Sequence, residues 1–359
     1  MKIGVFMMPG HPPGRDYAEG HYHNLDYLEF LDKVGCREAW IGEHYTVRME
    51  PLPSPDLLIA QAILQTQNLT LCTGSFLLPY HHPAELAHRI AWLDRISRGR
   101  LIVGIGASGV PTDWAMFDVD GMAGQHREMT EESLEIMLKL WQSSEPFEYR
   151  GKFWVVRRPE PDLDGVFNFH LTPHQKPYPP IAVAGFSPKS PSLHWSGLKG
   201  FIPVSISYSD TYLASQWDAY SLGAAAANRT PLRSNWRVGR DIYIASSESE
   251  AWEKTVNGSM GDFYRNYFLP FFKKLGALSA CKHHPDVADS DVTVEYLAKH
   301  CWIVGTQETV TDKIGEMLQS SGGFGTLLAI SYDHLDNLQG WRESIFALTS
   351  EVAPKFESV

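Results

Sequence analysis

The chain has 359 residues, of which 43% are hydrophobic and 20% are charged, so it can bury the core of one large domain or two ordinary ones. Its formal net charge of −11 argues against a nucleic-acid partner and against an anionic membrane surface, because both require clustered Lys and Arg. No segment approaches the roughly 18 uninterrupted apolar residues of a membrane helix, and the start, MKIGVFMMPG, is typical of a strand and not of a signal peptide.

Short β-branched segments alternate with longer segments of helical period along the whole chain. Most of the short segments are apolar on both faces, which is typical of parallel strands that are covered on both sides. The predicted strands are residues 3–7, 39–41, 69–73, 101–105, 181–184, 202–204, 240–245 and 327–330. The four cysteines are far apart and lack a CxxC spacing, so we expect reduced core thiols and a soluble cytoplasmic protein.

Helix start and stop signals lie between these strands. Ser54 can cap a helix that has Pro55 at its first position, and Thr306 can cap another. Gly322 suits a left-handed stop after the second of these helices. Alternation of this kind predicts an α/β protein, a (β/α)₈ TIM barrel in which residues 1–359 form a single domain.

A barrel of this kind takes about 250 residues, so the chain has a surplus for insertions. We place the first at 107–125, after the fourth strand, and the second at 143–179, before the fifth strand, where FEYRGKFWVV suggests a hairpin. The third, at 276–291, follows the seventh strand and is rich in His, Asp and Ser.

Ionisable side chains follow the second and third predicted strands. Glu43 and His44 come directly after the second strand and His82 after the third, at the end of a barrel where catalytic groups lie. We predict catalytic roles for all three, with His44 as the acid–base group, because an imidazole exchanges its proton near neutral pH. For His82 a helix cap is an equal alternative, since Pro83 can begin a helix.

Three further side chains are candidates for a substrate pocket at the same end. Phe6 and Trp114 could line an apolar pocket or belong to the core, and His11 follows the first strand. A metal site is not predicted, because the HxH motif His21-Tyr22-His23 lies beyond the strand-one position that barrel metalloenzymes often use.

Small and hydroxyl-bearing residues follow the fourth and fifth strands. AGFSPKSPS offers Gly185, Phe186, Ser187, Lys189 and Ser190 where a helix should begin, and the free N–H groups of a helix start bind phosphate. Ordinary capping by the serines is an equal alternative. VGIGASG matches G-x-G-x-x-G, which alone is a weak signal.

Six motifs occur in order and at barrel spacing: MKIGVFMMP, EAWIGEH, LCTGSFLLPYHHP, LDRISRGRLIVGIGASG, IAVAGFSPKSPS and IVGTQETVTDKI. Together they resemble the bacterial-luciferase-like flavin-dependent monooxygenases over essentially the whole chain. Within that family, GFSPKSPS and EAWIGEH…LPYHHP are most similar to the diketocamphane and limonene monooxygenase branches.

This resemblance implies a two-component monooxygenase. Reduced FMN from a separate NAD(P)H-flavin reductase would react with O₂ to form a flavin C4a-peroxide. One oxygen atom would then enter an apolar organic substrate, such as a cyclic ketone, a terpene or a polyketide-like molecule. His44 matches the active-site histidine of the family. The resemblance also implies a homodimer that pairs through helices two and three.

Positions for the cofactor follow from the same resemblance. The non-proline cis peptide of the family would fall at Gly74-Ser75, and its flavin-phosphate site at Ser187 and Ser190. The family often has an arginine after the fourth strand, where this chain has Gly106-Ala107-Ser108, and Lys189 could take its place.

Three alternative functions stay open. A deazaflavin-dependent hydride-transfer oxidoreductase could use the same barrel, and a metal-dependent barrel hydrolase could use the histidine pairs. A catalytically silent flavin-binding protein could keep the fold alone, although the presence of His44 favours an enzyme.

Overall fold

Eight parallel strands close into a barrel in the computed structural model, which describes residues 1–206 and 208–356. The strands of the protein are β1 (Lys2–Met7), β2 (Glu38–Ile41), β3 (Thr70–Thr73), β4 (Phe76–Leu77), β5 (Leu101–Gly106), β6 (Phe147–Arg150), β7 (Val155–Arg158), β8 (Ile181–Gly185), β9 (Ile202–Ile206), β10 (Arg237–Arg240), β11 (Ile242–Ile244), β12 (Ile303–Gly305) and β13 (Thr326–Ser331). Around the barrel the order is β1, β2, β3, β5, β8, β9, β10 and β13, and β13 pairs again with β1. The predicted fold class is confirmed.

Helices surround the barrel and connect its strands. They are α1 (Tyr17–Lys33), α2 (Pro55–Gln65), α3 (Pro83–Ile96), α4 (Pro111–Met116), α5 (Gln125–Gln142), α6 (Pro191–Lys199), α7 (Leu213–Ala226), α8 (Glu248–Val256), α9 (Ser259–Phe263), α10 (Leu269–Lys274), α11 (Val294–His300), α12 (Gln307–Ser321) and α13 (Leu338–Ala347). Thr306 caps α12 through the Thr309 N–H, and Gly322, with φ 76°, ends it as predicted. Ser54 precedes α2, but its side chain makes no capping hydrogen bond. Within the described ranges, no helix is long and apolar enough to cross a membrane.

The seventh barrel strand does not lie where the sequence pattern placed it. The predicted segment 240–245 is wrong, because the barrel strand is β10, which pairs with β9 and β13. Only Asp241 separates β10 from β11, which pairs with β12 in a separate parallel sheet. The sequence of β10 is RVGR. Because two of its four residues are charged, an apolar pattern does not predict this strand. Arg237 is tolerated inside because its Nη2 lies 2.7 Å from the Glu38 carboxylate.

All three predicted insertions carry secondary structure of their own. α4 lies in the first, and β6 and β7 form the predicted antiparallel hairpin in the second. The third is larger than 276–291, because everything from β11 to β12 stands between barrel strands β10 and β13. It includes a π-helical turn, Tyr264–Phe268, between α9 and α10.

Residues 259–274, from α9 to α10, lie over the C-terminal mouth of the barrel. The Phe263 ring fills the space beside Gly10, where a Cβ would lie only 2.5 Å from the ring. The Tyr267 hydroxyl donates to Glu50 Oε2 at 3.4 Å, in the loop after β2. The third insertion therefore covers the loops that follow β1 and β2.

Candidate active site

A cis peptide bond joins Gly74 and Ser75 just after β3, at the position that the resemblance predicts. Gly74 has no room for a side chain, because a Cβ would lie 3.1 Å from the Phe6 ring and 3.3 Å from Trp40 Cβ. Gly106, at the end of β5, is also confined, since a Cβ there would lie 2.4 Å from Ser75 Oγ. At both glycines, neighbouring side chains already fill the space that a Cβ would occupy.

His44 forms a close pair with Glu50, a residue that the sequence analysis did not identify. Its Nε2 lies 2.7 Å from Glu50 Oε2, and the Glu50 side chain is only 1% exposed. The His44 N–H donates to Leu52 O at 2.9 Å, so the loop folds back and brings Glu50 onto the ring. A carboxylate only accepts hydrogen bonds, so Nε2 carries a hydrogen. Nδ1 has no partner among the described residues.

Three carboxylates determine the charge of His44. Burial by itself lowers the pKa of an imidazole. For His44 this effect is outweighed by the charge and hydrogen bond of Glu50, with smaller contributions from Asp113 and Glu43, and the pKa is raised above its usual value. His44 therefore keeps its proton to a higher pH than a free histidine does.

Asp113 reaches this site from α4, in the first insertion. It is fully buried, and its Oδ1 accepts hydrogen bonds from the Thr46 N–H, at 2.8 Å, and from the Thr46 hydroxyl. Its Oδ2 has no partner in the described ranges. The sequence analysis missed Asp113 and Glu50 because neither lies in a periodic segment that predicts the direction of a side chain. Their place after strand ends is the one signal that could have identified them.

Glu43 joins two loops and has no oxygen free for chemistry. Its Oε1 accepts a hydrogen bond from the Tyr45 hydroxyl and lies 2.7 Å from His81 Nε2, and its Oε2 accepts from the Leu77 N–H at 3.1 Å. These contacts favour a structural role in which Glu43 braces the loop after β2 against the chain after β3, and a catalytic role of Glu43 stays a prediction.

His81, and not His82, faces this network. Arg89 donates to His81 Nδ1 at 3.2 Å while Glu43 contacts its other nitrogen. The His82 side chain is exposed, and its Nδ1 accepts a hydrogen bond from the Ala84 N–H at 3.3 Å at the start of α3. The structure thus favours the helix-cap alternative for His82 over the catalytic role.

The turn after β8 presents polar groups at the start of α6. Ser190 is only 1% exposed, and its Oγ caps the helix by accepting from a first-turn N–H at 3.4 Å. Gln216 Nε2 donates to Phe186 O at 3.0 Å and holds the turn in place. The Ser187 and Lys189 side chains are exposed and remain available. Free polar side chains at a helix N-terminus suit a phosphate group, so the residues here fit the predicted cofactor.

The other predicted cofactor residues lie at the same end of the barrel. Gly185 ends β8, and a Cβ there would lie 2.5 Å from Ser190 Oγ. After β5, Ala107 is half-buried, and Ser108 has φ 67° with its Oγ accepting from the Val110 N–H at 3.3 Å. Gly185, Ala107 and Ser108 shape the backbone near Gly74 and Gly106, and none of the three carries a positive charge.

The contacts of His11 argue for a structural role and against its predicted place in a substrate pocket. It is buried, its Nδ1 lies 2.7 Å from Asp333 Oδ2, and its Nε2 lies 3.2 Å from Asn24 Nδ2. Both ring nitrogens are occupied, so we reassign His11 to a structural network that ties the loop after β1 to the loop after β13. The Arg15 guanidinium joins this network by donating to Asp333.

Of the two predicted pocket aromatics, only Phe6 lies in the barrel interior. Trp114 packs inside its own insertion, with its ring 5.0 Å from His126 and over Gly121, where a Cβ would overlap the indole. We therefore assign Trp114 to local packing.

Aromatic side chains form one wall beside Phe6. All are buried, and neighbouring ring centroids are 5.0–6.3 Å apart. They are Tyr208 after β9, Tyr332 after β13, and Phe263, Tyr264 and Phe268 from the third insertion. These rings pack on one another as one buried apolar cluster beside Phe6.

Asp241, between β10 and β11, holds two of these aromatic side chains through hydrogen bonds. Its carboxylate accepts a hydrogen bond from the Tyr264 hydroxyl at 2.7 Å and another from the Tyr332 hydroxyl. Burial raises the pKa of Asp241 to about 6. In the part of the chain that the structure describes, no group of three or more His, Cys, Asp or Glu could hold a metal ion.

These features define an α/β barrel in which a histidine–carboxylate pair lies at the same mouth as a turn suited to phosphate. The chain belongs to the luciferase-like monooxygenase family, whose model matches residues 1–323. The prediction of that family, and of its diketocamphane branch, is confirmed by the comparisons that follow.

Relatives and solved structures agree on this membership. 2,5-Diketocamphane 1,2-monooxygenase 1 of Pseudomonas putida is 33% identical over 361 residues, which cover 99% of each chain. The oxygenase component of the flavin-dependent trigonelline monooxygenase of Acinetobacter baylyi is 27% identical over 81% of this chain and 78% of that one. The oxygenating constituent of Pseudomonas putida 3,6-diketocamphane monooxygenase, a type II Baeyer-Villiger monooxygenase in complex with FMN, is 34% identical. It superposes with a TM-score of 0.93 over 99% of this chain and 98% of that chain.

Proposed function

We propose that the protein is the oxygenating component of a two-component, FMN-dependent Baeyer-Villiger monooxygenase that converts an apolar cyclic ketone into a lactone. A separate NAD(P)H-flavin reductase supplies reduced FMN, and O₂ is the co-substrate. The observation that carries the proposal is the TM-score of 0.93 at 34% identity, over nearly all of both chains, with an FMN-bound type II Baeyer-Villiger monooxygenase.

The mouth of the barrel fits FMN. Ser187, Lys189 and the start of α6 would hold its phosphate, because their side chains are exposed at a helix N-terminus. When bound, reduced FMN would supply the two electrons that activate O₂, so that one oxygen atom of O₂ enters the ketone and the other leaves as water.

His44 would move the proton in this reaction through Nδ1. Its Nε2 is committed to Glu50, so Nδ1, which is buried and has no partner among the described residues, is the ring atom left to exchange a proton with an oxygen of the substrate. The raised pKa of His44 favours the protonated form, which suits the donor role near neutral pH.

The substrate we propose is an apolar ring with one carbonyl group. The wall formed by Tyr208, Phe263, Tyr264, Phe268 and Tyr332 would contact the hydrocarbon part and keep water out. His44 would then stand as the polar group that orients the carbonyl oxygen.

A reductase-coupled assay tests the proposed function. The protein would be combined with NADH, FMN and a flavin reductase, and offered bicyclic ketones, terpenes and aromatic polyketides, with product mass and structure determined. We expect a lactone, 16 mass units heavier than its ketone, and a preference for bicyclic ketones. A hydroxylated ketone, an epoxide, or no oxygenated product from any ketone would contradict the proposal. Reduction of the ketone to an alcohol without O₂ consumption would favour the hydride-transfer alternative.

A further inference from the structure

We propose that Glu50 is a positioning residue that selects the reactive nitrogen of His44, and that the third insertion regulates it through Tyr267. This inference rests on the proposed function only for the use of His44 in turnover. The arrangement itself is a property of the protein without cofactor.

The loop after β2 is folded so that Glu50 meets His44. The Glu50 N–H donates to Val47 O at 3.1 Å, the Leu52 N–H donates to Glu50 O at 2.9 Å, and the His44 N–H donates to Leu52 O at 2.9 Å. These three backbone hydrogen bonds hold the ends of the loop together and leave the Glu50 side chain no route to solvent. A carboxylate that is 1% exposed is costly unless donors satisfy it; His44 Nε2 is the donor to Oε2 at 2.7 Å, and Oε1 has no partner among the described residues.

The consequence for His44 is a single favoured tautomer. With the hydrogen of a neutral ring on Nε2, Nδ1 is always the atom that gains or loses the second proton. The carboxylate keeps the ring from flipping about the Cβ–Cγ bond, because a flipped ring would place Cε1 against Glu50 Oε2 in the position of Nε2 and lose the hydrogen bond. Glu50 thereby aims Nδ1 in one direction without touching a substrate.

The other charged groups around His44 act differently. Glu43 precedes it but is committed to His81, and Asp113 approaches from α4 but is committed to Thr46. Both contribute through their charge alone. Among the described residues, Glu50 is thus the carboxylate that contacts the ring and sets its direction.

Tyr267 brings the third insertion into the same chain of contacts. Its hydroxyl donates to Glu50 Oε2, the same oxygen that faces His44, at 3.4 Å. It stands on the π-helical turn, one turn after Phe263, which packs on Gly10. A hydroxyl that shares this oxygen draws charge away from His44, so the position of the insertion adjusts how firmly Glu50 holds the proton of His44.

The first experiment reads the histidine directly, in protein without flavin or substrate. Ring ¹⁵N and ¹³C signals of labelled histidine would be followed by NMR from pH 5 to 9, with His44 assigned by comparison with H44Q. We expect the Nε2–H tautomer in the unchanged protein. The opposite tautomer would overturn the proposal, and this result needs no folded variant at Glu50.

The variants test the direction of each effect. In E50Q the His44 midpoint should fall by about one pH unit or more, the usual loss when an adjacent opposite charge is removed. E50D should recover part of that loss. Asp286, an exposed carboxylate that pairs with His284, gives the matched control: D286N should leave the midpoint of His44 unchanged. An unchanged His44 midpoint in E50Q would overturn the role of Glu50.

The Y267F variant tests whether the Tyr267 hydroxyl acts on His44 through Glu50 or whether Tyr267 only packs beside Glu50. Loss of the hydroxyl returns charge to Glu50, so the His44 midpoint should rise slightly, opposite to its fall in E50Q. A fall or no change would overturn the regulatory part for Tyr267. In turnover, the pH at which kcat declines should follow the NMR midpoint while KM for the ketone stays within about twofold. If the pH at which kcat declines does not shift with the NMR midpoint of His44, the proposed function of His44 is contradicted. The NMR result for Glu50 would still stand.

Discussion

Glu50 follows His44 by only six residues, yet it meets the ring because the intervening loop turns back on itself through Leu52. At the scale of single residues, the buried carboxylates at the mouth of the barrel differ in the partners that they contact. Glu43 connects two loops through its hydrogen bonds, whereas Glu50 contacts His44, the predicted catalytic residue. Only the contacts distinguish these roles, since both residues are buried glutamates.

Replacement of His44 should affect chemistry far more than structure. We expect H44A to bind reduced FMN nearly as well as the unchanged protein and to lose about 10²–10⁴ in kcat, which is the usual contribution of a positioned acid–base group. Reductase-coupled lactone formation measures the rate, and anaerobic titration measures binding. The half-buried His21, which contacts Gln61, provides a control in H21A, which should keep full activity. Unchanged kcat in H44A would remove His44 from the mechanism.

The turn after β8 makes a separate prediction about affinity. Ser187 and Lys189 are exposed and available, whereas Ser190 is buried as a cap, so the pair S187A and K189A removes phosphate contacts without removing the cap. We expect about 10–100-fold weaker binding of reduced FMN, because hydrogen bonds to charged groups contribute about 1.5–3 kcal/mol. S190A alone should mainly lower the melting temperature. Equal affinity in the double variant would place the phosphate elsewhere.

At the scale of elements, the sequence predicted most of the barrel but not its charged strand. Seven strands are short, mostly apolar or β-branched segments whose burial on both faces can be recognised without contacts. β10 is RVGR, and it is buried only because Glu38, from another strand, pairs with Arg237. A partner 199 positions away along the chain leaves no local trace.

The same reasoning explains which parts of the candidate site were found. His44 and the turn at Ser187 follow strand ends, where the barrel geometry assigns function without further information. The cis bond at Gly74-Ser75 came from the resemblance alone. His81 and His82 are adjacent and chemically equal in the sequence, and only the direction of β4 and α3 decides which ring turns toward Glu43.

The loop after β13 predicts how stability depends on pH. His334 is 1% exposed, its Nδ1 donates to Tyr332 O at 2.6 Å, and its Nε2 has no partner in the described residues. Burial, with His23 nearby, lowers the pKa of His334 to about 3. The folded pKa lies below that of an unfolded histidine, so the unfolded chain takes up the proton first as the pH falls. His334 should therefore cost stability progressively from about pH 6.5 down to about pH 3.

Urea unfolding at pH 7, 6, 5 and 4 measures this dependence. We expect the free energy of unfolding of the unchanged protein to fall over that range, and H334Q to show a distinctly weaker dependence whatever its absolute stability. H284Q, at an exposed histidine, should keep the original slope. Parallel slopes for the unchanged protein and H334Q would show that His334 takes up its proton without unfolding.

At the scale of the whole molecule, the exposed apolar side chains of two helices predict a homodimer. Leu57 and Leu64 on α2 are 63% and 87% exposed, and Trp92 on α3 is 58% exposed. Leu57 and Leu64 are seven positions apart and lie on one helix face. We propose that a second copy covers this surface, consistent with pairing through helices two and three.

Light scattering coupled to size exclusion tests the dimer. The chain has a mass of 40.4 kDa, so we expect a particle of about twice that mass. L64D should shift the particle to the mass of one chain. L222D changes a leucine of similar exposure, 66%, on α7, and should leave the mass unchanged. A monomeric unchanged protein, or an L64D variant that remains dimeric, would place the interface elsewhere or exclude it.

A single turnover with labelled oxygen tests the central claim most directly. The protein would be mixed anaerobically with photoreduced FMN and a bicyclic ketone, without NADH or reductase, and then exposed to ¹⁸O₂. Our account predicts one lactone oxygen derived from ¹⁸O₂, in an amount close to that of the protein and strongly reduced in H44A. Reoxidation of the flavin with no labelled lactone, or a lactone whose new oxygen comes from water, would contradict the account.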